Sequence, residues 1–475
     1  MKRFSNNSGV IHFVGIGGIG MSGIADILVN LGYNVTGSDL KENAMTAHLA
    51  RKGVKIIIGH HGENVRDAQV VVVSSAISKD NPELLEARKL KIPVIKRAEM
   101  LAELMKMKLS VAVAGTHGKT TTTSLVAAVL EQGGFDPTVI NGGIINAYNN
   151  NARLGGGDWC VVEADESDGS FAKLNSTIAI VTNMDFDHID NFKDFDEMRK
   201  LFAQYIENIP FYGAGILCVD HPEVAKLASN TFDRRIVTYG FSKNADVSCE
   251  NVVLSKNGVE FTVVFSSEIC KKYGVAEKWQ HISSNMVGEH NVQNALAAVC
   301  VALQLHISEE NVRIALGSFM GVKRRFMKVG EVNGVTIIDD YGHHPVEISA
   351  VLKAARTVCS GRIIAVMQPH RYSRLQNFLN DFAKVLELSD QAFIAPIYSA
   401  GEQSNGIDHF SLLKKVKENN VILAEFAQDV KTLHSMLSGR VNNGDYIVFL
   451  GAGDITKWAS ELFEIMQAEK TDVIN

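Results

Sequence analysis

The sequence predicts an α/β protein of three domains built on parallel sheets. The first observation is a rhythm of short β-branched run, glycine turn and helix, which restarts near Val10, Val111 and Val335. The second is that strand candidates alternate with helical stretches, as βαβ units require. The third is length: 475 residues, at roughly 150 per domain, suggest about three domains. Boundaries are expected near residues 107 and 321, giving sections 1–107, 108–321 and 322–475.

In the first section Val10–Val14 is a short apolar run that enters Gly15-Ile16-Gly17-Gly18-Ile19-Gly20. Asn34–Thr36, Val70–Val73 and Val94–Ile95 read as further strands, and Leu84–Leu90 and Arg97–Met107 carry helical spacing. The second section opens with the strand Val111–Ala114, then glycine, then a helix over Thr121–Glu131 ended by Gly133-Gly134. Val161-Val162 and Ile178–Val181 continue it. Val252–Phe265 alternates like a hairpin with Asn257-Gly258 as its turn, and Asn291–Leu305 is a long apolar-faced helix. In the third section Val335–Ile338, Ile363–Met367, Ala392–Ile397 and Tyr446–Leu450 read as buried strands.

Composition removes several function classes. Lys plus Arg is 47 and Asp plus Glu 53, a net charge of −6, so no general basic surface for nucleic acid is expected. The six cysteines form no C-x-x-C pair, which argues against a zinc or thioredoxin-type site and suits a reducing cytoplasm. No signal-peptide core follows Lys2-Arg3, and no apolar run reaches the ~20 residues of a membrane span. A soluble cytoplasmic protein is expected, with small-molecule partners and neither nucleic acid nor membrane.

Chemistry concentrates beyond strand ends. Gly15–Gly20 satisfies G-x-G-x-x-G between a strand and a helix, so backbone N–H groups can approach a diphosphate. Asp39 lies where a ribose-binding acid would sit. That pattern alone leaves a nicotinamide cofactor and a UDP-linked ligand equally open. Gly115-Thr116-His117-Gly118-Lys119-Thr120 ends in G-K-T at a helix start, with Val113 where a full Walker motif has glycine. Lys119 can neutralise β/γ-phosphate charge and Thr120 can offer its hydroxyl to Mg²⁺. Glu163-Ala164-Asp165-Glu166-Ser167-Asp168 clusters four carboxylates after a strand, a set that solvent or a hard cation must satisfy. Asn183–His188 follows the next strand. Adjacent parallel strands would bring Glu163 and His188 to one edge with the glycine loop. Asp339–Pro345 and Pro369–Arg374 occupy matching positions in the third section. There Arg371 and Arg374, spaced i, i+3, are candidates to converge on one carboxylate. Arg324 and Arg325 are ambiguous between such a role and a solvated surface.

Taken together, these segments resemble the Mur ligases of bacterial cell-wall synthesis. The resemblance runs from Ile11 to Asp454. It rests on Ile11–Ala25 (IHFVGIGGIGMSGIA), Gly115–Thr123 (GTHGKTTTT), Glu163–Asp168 (EADESD) and Thr182–Asp190 (TNMDFDHID). It continues in Gly288–Ala298 (GEHNVQNALAA), Arg324–Phe326 (RRF), Asp339–Pro345 (DDYGHHP) and Gln368–Arg374 (QPHRYSR).

What it implies is an N-terminal Rossmann-like domain for a UDP-sugar, a central P-loop ATPase-like domain and a C-terminal Rossmann-like domain for an amino acid. The implied activity joins L-alanine to the carboxylate of UDP-N-acetylmuramate through an acyl phosphate, using ATP and Mg²⁺, in a monomer or homodimer. By the same resemblance Gly15, Gly17, Gly18, Gly20, Met21, Ser22, Asp39, Ser74 and Ser75 would hold the UDP portion. Gly115, Thr116, His117, Gly118, Lys119, Thr120, Thr121, His290, Asn291, Asn294 and Arg325 would hold ATP, with Asn294 near adenine. Thr120, Glu163 and His188 would hold magnesium. Tyr341, His343, Arg371 and Arg374 would receive L-alanine, the arginines at its carboxylate and His343 positioning or deprotonating its amine. The rivals are a nicotinamide-dependent oxidoreductase, an ATP-hydrolysing switch, and a family member that adds a tripeptide to the same sugar nucleotide.

Overall fold

The computed structural model describes residues 9–74, 76–167, 169–185, 192–231, 233–404 and 406–474, the side chains of 470–474 excepted. Its elements are α/β throughout, on three sheets. The first sheet holds β1 (Val10–Val14), β2 (Val35–Asp39), β3 (Lys55–Ile58), β4 (Ala68–Val73) and β5 (Val94–Lys96), in the order β3-β2-β1-β4-β5 with every pairing parallel. Its helices are α1 (Ile19–Asn30), α2 (Ala44–Arg51), α3 (Pro82–Lys89) and α4 (Arg97–Met105). Strand order reverses at β1, so a crevice opens beyond the carboxyl ends of β1 and β4, where ligands of such sheets bind.

The second sheet has ten strands. In chain order its elements are β6 (Leu109–Ala114), α5 (Lys119–Gln132), β7 (Thr138–Ile145), β8 (Asn150–Arg153), β9 (Trp159–Glu163) and β10 (Ile178–Val181). Then come α6 (Phe195–Glu207), β11 (Ala214–Cys218), α7 (Pro222–Asn230), β12 (Ile236–Tyr239), β13 (Val247–Ser255), β14 (Gly258–Phe265), α8 (Ser267–Tyr273), β15 (Lys278–Ser284), α9 (His290–Gln304) and α10 (Glu309–Gly317). The strand order is β15-β14-β13-β12-β11-β10-β6-β9-β7-β8. β9 and β10 are thus not neighbours: β6 lies between them and pairs in parallel with both. The acidic segment after β9 and the segment after β10 therefore flank the loop after β6 from opposite sides.

The third sheet runs β16 (Met327–Val332), β17 (Val335–Asp340), β18 (Ile363–Met367), β19 (Gln391–Ile394), β20 (Leu423–Phe426) and β21 (Tyr446–Leu450), in the order β16-β17-β21-β18-β19-β20. Only the edge strand β16 is antiparallel. Its helices are α11 (Pro345–Val358), α12 (Tyr372–Asn377), α13 (Leu379–Leu386), α14 (His409–Asn419), α15 (Val430–Leu437) and α16 (Ile455–Ile474), with apolar cores on both faces of the sheet.

By packing, the chain divides into two compact units. One comprises Met1–Asn251, Phe261–Ile282 and Gln293–Met320, the other Val252–Glu260, Ser283–Val292 and Gly321–Asn475. The first sheet and all of the second but the hairpin end of β13 and β14 and the end of β15 thus share a unit, and one apolar core joins Phe13, Ile24 and Leu28 to Ala152, Cys160 and Phe202. Helix α1 is the shared element. Gly23 faces Asn151 so closely that a Cβ would stand 2.8 Å from the amide nitrogen, and Asn150 Nδ2 donates to Asp26 on the same helix at 2.9 Å.

Some expected boundaries shift for local reasons. The strand expected over Ala392–Ile397 ends at Ile394; Pro396 has no N–H to continue a ladder. The hairpin turn is Lys256-Asn257, and Gly258 opens β14 with φ +124°. Helix α3 starts earlier than expected, at Pro82, because Asn81 Oδ1 caps Glu83 N. Helix α4 ends at Met105, short of Met107, and α5 begins at Lys119, ahead of Thr121.

The ring of Phe202 is fully buried against Phe171, centroid to centroid 4.8 Å. Phe202→Ala is expected to cost about 3–5 kcal/mol of stability by leaving a cavity. Chemical denaturation of the first unit's transition checks this; a loss under 1 kcal/mol would show that the site collapses to fill the space.

Candidate active site

The crevice of the first sheet is lined by the loop from Gly15 to Gly18. Gly15, at φ +82°, and Ile16 both donate their N–H to Ser38 O, at 2.9 and 3.0 Å, which turns the chain sharply into α1. Gly18 caps the helix without a side-chain acceptor, and the first turn carries no acid. Its N–H groups therefore present the positive end of the helix to the crevice. Asp39 sits at the end of β2 and its Oδ2 accepts from Gly17 N at 2.8 Å. A Cβ on Gly17 would stand 2.5 Å from Asn43 Nδ2 and 2.8 Å from that carboxylate oxygen, so a side chain there would displace both. Ser74, after β4, packs on Gly15. Met21 is buried in α1, and Ser22 Oγ donates back to Ile19 O at 3.0 Å. The structure thus brings Gly15, Gly17, Gly18, Gly20, Met21, Ser22, Asp39 and Ser74 to one sheet edge. Ser75 lies outside the described residues.

The second loop, Gly115–Gly118, joins β6 to α5. Gly115 is at φ +130°, and a Cβ there would stand 2.1 Å from Thr182 Oγ1. Gly118, at φ +81°, is the left-handed cap of α5. The segment after β10 splints the loop: Thr182 Oγ1 donates to His117 O at 2.7 Å, and His117 N donates to Asn183 Oδ1 at 2.7 Å. Asp185 N donates to Thr116 Oγ1 at 2.9 Å. Lys119 folds back over the loop, with Nζ 2.7 Å from Gly115 O, 3.0 Å from Thr116 O and 2.8 Å from Glu166 Oε2. Burial disfavours its charge, but Glu166, Glu163 and Asp165 more than offset that and hold Lys119 protonated, with its pKa raised. Glu166 is pushed upward by its own burial, with Lys119 pulling the other way.

Thr120 and Thr121 are buried in the first turn of α5. Glu163, at the end of β9, accepts from Gly142 N at 2.9 Å, where a Cβ on Gly142 would overlap the carboxyl. A hydroxyl and a carboxylate beside the loop are the oxygen donors a hard cation takes. His188 lies outside the described residues, as does Asp168. Asn294, on α9, abuts Gly118 and accepts from Thr122 Oγ1 at 3.0 Å.

In the other unit Asn291 Nδ2 donates to Val287 O at 2.8 Å. His290 is depressed to about 4 by burial and by Arg325. Arg324 and Arg325 stand over the Tyr341 ring at 4.9 and 5.3 Å. Burial pushes Asp340 up to about 6, against Arg325 and the N–H groups of Phe326 and Gly342. His343 Nδ1 lies 3.0 Å from Tyr341 O, which makes Nδ1 the donor and leaves Nε2 the basic nitrogen of the neutral ring. Its ring is 5.2 Å from Tyr341 and 5.7 Å from His370.

Arg371 and Arg374, expected to converge on one carboxylate, do not form a regular helical i, i+3 pair. Arg371, at φ +67°, is the cap before α12, outside its helical spacing. Its Nη1 lies 3.9 Å from Glu402 Oε1, while the buried Arg374 has Nη1 3.4 Å from His370 Nδ1.

Sequence reasoning passed over Glu166, Thr182, Asn183 and Arg97. The first three stood inside quoted motifs but had no role, because their partners are distant in sequence. Arg97 read as ordinary helix-surface charge.

Models of three family domains match the chain: "Mur ligase family, catalytic domain" over residues 10–109, "Mur ligase middle domain" over 113–302 and "Mur ligase, glutamate ligase domain" over 324–453. UDP-N-acetylmuramate–L-alanine ligase from Rhodopseudomonas palustris is 54% identical over 463 residues, 97% of this chain and 98% of that protein. The protein of that name from Novosphingobium aromaticivorans is 51% identical over 475 residues, 99% of each chain. Among solved structures, UDP-N-acetylmuramate–alanine ligase from Thermotoga maritima superposes with a TM-score of 0.82 at 30% identity, covering 97% of this chain and all of the other. A murein peptide ligase from Psychrobacter arcticus, at TM-score 0.71 and 24% identity over 96% of this chain and 98% of its own, shares the fold.

His370 is held near 3 by burial first, and then by His343, Arg374, Arg371 and Arg324. A histidine depressed in the folded state contributes stability above its usual ~6.5 and loses it as pH falls toward the folded value. The melting temperature is therefore expected to drop between about pH 6.5 and 4, and His370→Gln to drop less over that window. Parallel curves for the two proteins would remove His370 as the source.

Proposed function

The chain belongs to the Mur ligase family, and from that premise we propose that it joins L-alanine to UDP-N-acetylmuramate with ATP, in peptidoglycan synthesis. The observation that carries the reading is Lys119, protonated and largely screened from solvent at the head of α5, in the same compact unit as the glycine loop of the first sheet. A carboxylate is a poor electrophile, and phosphorylation gives it a leaving group. ATP transfers its γ-phosphoryl to the muramyl carboxylate, the amine of L-alanine attacks the acyl carbon, and the tetrahedral intermediate collapses to the amide and phosphate.

The residues divide this work. The N–H groups from Gly15 to Gly20, with Met21, Ser22, Asp39, Ser74 and Ser75, hold the UDP portion. The loop from Gly115 to Thr121 cradles the ATP phosphates, and Lys119 leaves Glu166 for them. His290, Asn291, Asn294 and Arg325 contact the nucleotide. Thr120 and Glu163, with His188, would hold Mg²⁺, which when bound supplies positive charge against the phosphoryl oxygens. Tyr341 and His343 receive L-alanine with Arg371 and Arg374, and His343 offers Nε2 to its amine. Sections 1–107, 108–321 and 322–475 take the UDP-sugar, ATP and amino acid in turn. Among the described residues no helix is long and apolar enough to cross a membrane. The proposed enzyme is cytoplasmic, monomeric or homodimeric, and acts on small molecules without nucleic acid.

Phosphate release, measured with ATP and UDP-N-acetylmuramate against alanine, serine, glycine and the tripeptide, tests the reading. Alanine is expected to give the highest kcat/KM, with serine and glycine lower by the ~1–3 kcal/mol of a single small-group difference. Highest turnover with the tripeptide would overturn the assignment of the amino acid. Lys119→Ala is expected to abolish phosphate release. Removing one partner of a buried pair also costs about 3–5 kcal/mol, so Lys119→Ala with Glu166→Gln should recover stability while remaining inactive. Turnover in the double variant would sink the role of Lys119.

A further inference from the structure

The residues assigned so far leave one cation unused between the two glycine loops. Arg97 is the first residue of α4, and its turn is fixed by Glu99 Oε2, which accepts from Lys96 N at 2.9 Å. The side chain lies across Gly20 in the first turn of α1: a Cβ there would stand 3.2 Å from Arg97 Cδ, 3.4 Å from Nη1 and 3.5 Å from Nε. The far end of the guanidinium donates from Nη2 to Asp165 Oδ2 at 3.0 Å. Among the described residues this is its one hydrogen bond. The neighbour of Asp165, Glu166, pairs with Lys119 Nζ at 2.8 Å. Two adjacent acidic residues therefore each hold a cation laid against a different glycine loop.

Arg97 is only 19% exposed, so its charge is poorly served by water. Asp165 gives it a counterion, while Nη1 and Nε lie along the start of α1, where no acid is present. A planar fork with several unspent N–H donors suits a phosphate or carboxylate. The reaction proposed above must offset charge where its anions meet. The sugar nucleotide brings a diphosphate and a reacting carboxylate, and that carboxylate must approach the polyphosphate of ATP against like-charge repulsion.

We propose that Arg97 anchors an oxyanion of the sugar nucleotide, which takes the place of Asp165 on its guanidinium. This rests on the ligase reading, and assigns Arg97 to binding and positioning of one substrate of three.

The test is steady-state kinetics of the full chain with Arg97→Ala and Arg97→Lys. Arg97→Ala is expected to raise KM for UDP-N-acetylmuramate about ten- to a hundredfold, the value of a charge-assisted hydrogen bond or two. KM for ATP and for L-alanine should stay within about threefold, and Arg97→Lys should fall between. Binding of UDP-N-acetylglucosamine, which has the diphosphate and lacks the carboxylate, separates the two sources. Equal weakening of both sugar nucleotides assigns the diphosphate; weakening of UDP-N-acetylmuramate alone assigns the carboxylate. Wild-type affinity for UDP-N-acetylmuramate in Arg97→Ala, or an equal rise of all three KM values, overturns the proposal. If Arg97→Ala does not fold, Arg97→Lys and Arg97→Gln give the same readout. Wild-type turnover is measured first: its absence defeats the ligase reading, while direct binding of UDP-N-acetylmuramate still decides on Arg97.

Discussion

Helix α1 has a sheet to satisfy on either side, and this shared burial sets the geometry of the first unit. Ile24 and Leu28 lie in one core with Phe13 of the first sheet and Ala152 and Cys160 of the second. A helix buried all round cannot carry ordinary surface charges, and its one acid, Asp26, is matched by Lys52, His48 and Asn150. The glycines follow from the same closeness: Gly23 admits Asn151 and Gly20 admits Arg97. Because the first glycine loop is continuous with α1, its position relative to the second sheet is fixed by packing.

A chain of net charge −6 that handles anions must do so with local devices. The structure shows how the protein's own groups meet those devices. Asp39 takes the N–H of Gly17, Glu163 that of Gly142, Glu166 takes Lys119, and Asp165 takes Arg97. In each of these four places a donor or cation suited to an oxyanion is met by a carboxylate of the protein. This keeps buried polar groups satisfied and places the acids beside the loops, where a hard cation could recruit them.

Both glycine loops were legible in the sequence because a strand, a glycine spacing and a helix start are all local signals. The three parallel-rich sheets followed from the alternation of elements. What stayed hidden depends on distance or on unusual backbone. The β7–β8 hairpin escaped notice because Asn141-Gly142-Gly143 interrupts its apolar run. The pairing of Lys119 with Glu166 spans two strands of the sheet, so the acidic cluster was visible while its division of labour was not. Arg371 enters a left-handed conformation that glycine usually marks, and spacing rules for a helix therefore misplace it. No periodicity reveals that α1 is covered on its second side by another sheet.

The pairing of Lys119 with Glu166 has a consequence for competitor molecules. A compound that takes the lysine must turn out a buried carboxylate, and that carboxylate then needs a proton or another cation. Uncharged scaffolds that merely fill the space would leave the ion pair intact and gain nothing from it. Selectivity at this loop thus favours inhibitors that arrive as polyanions with a metal, because such a ligand gives both the lysine and the displaced acid a partner at once.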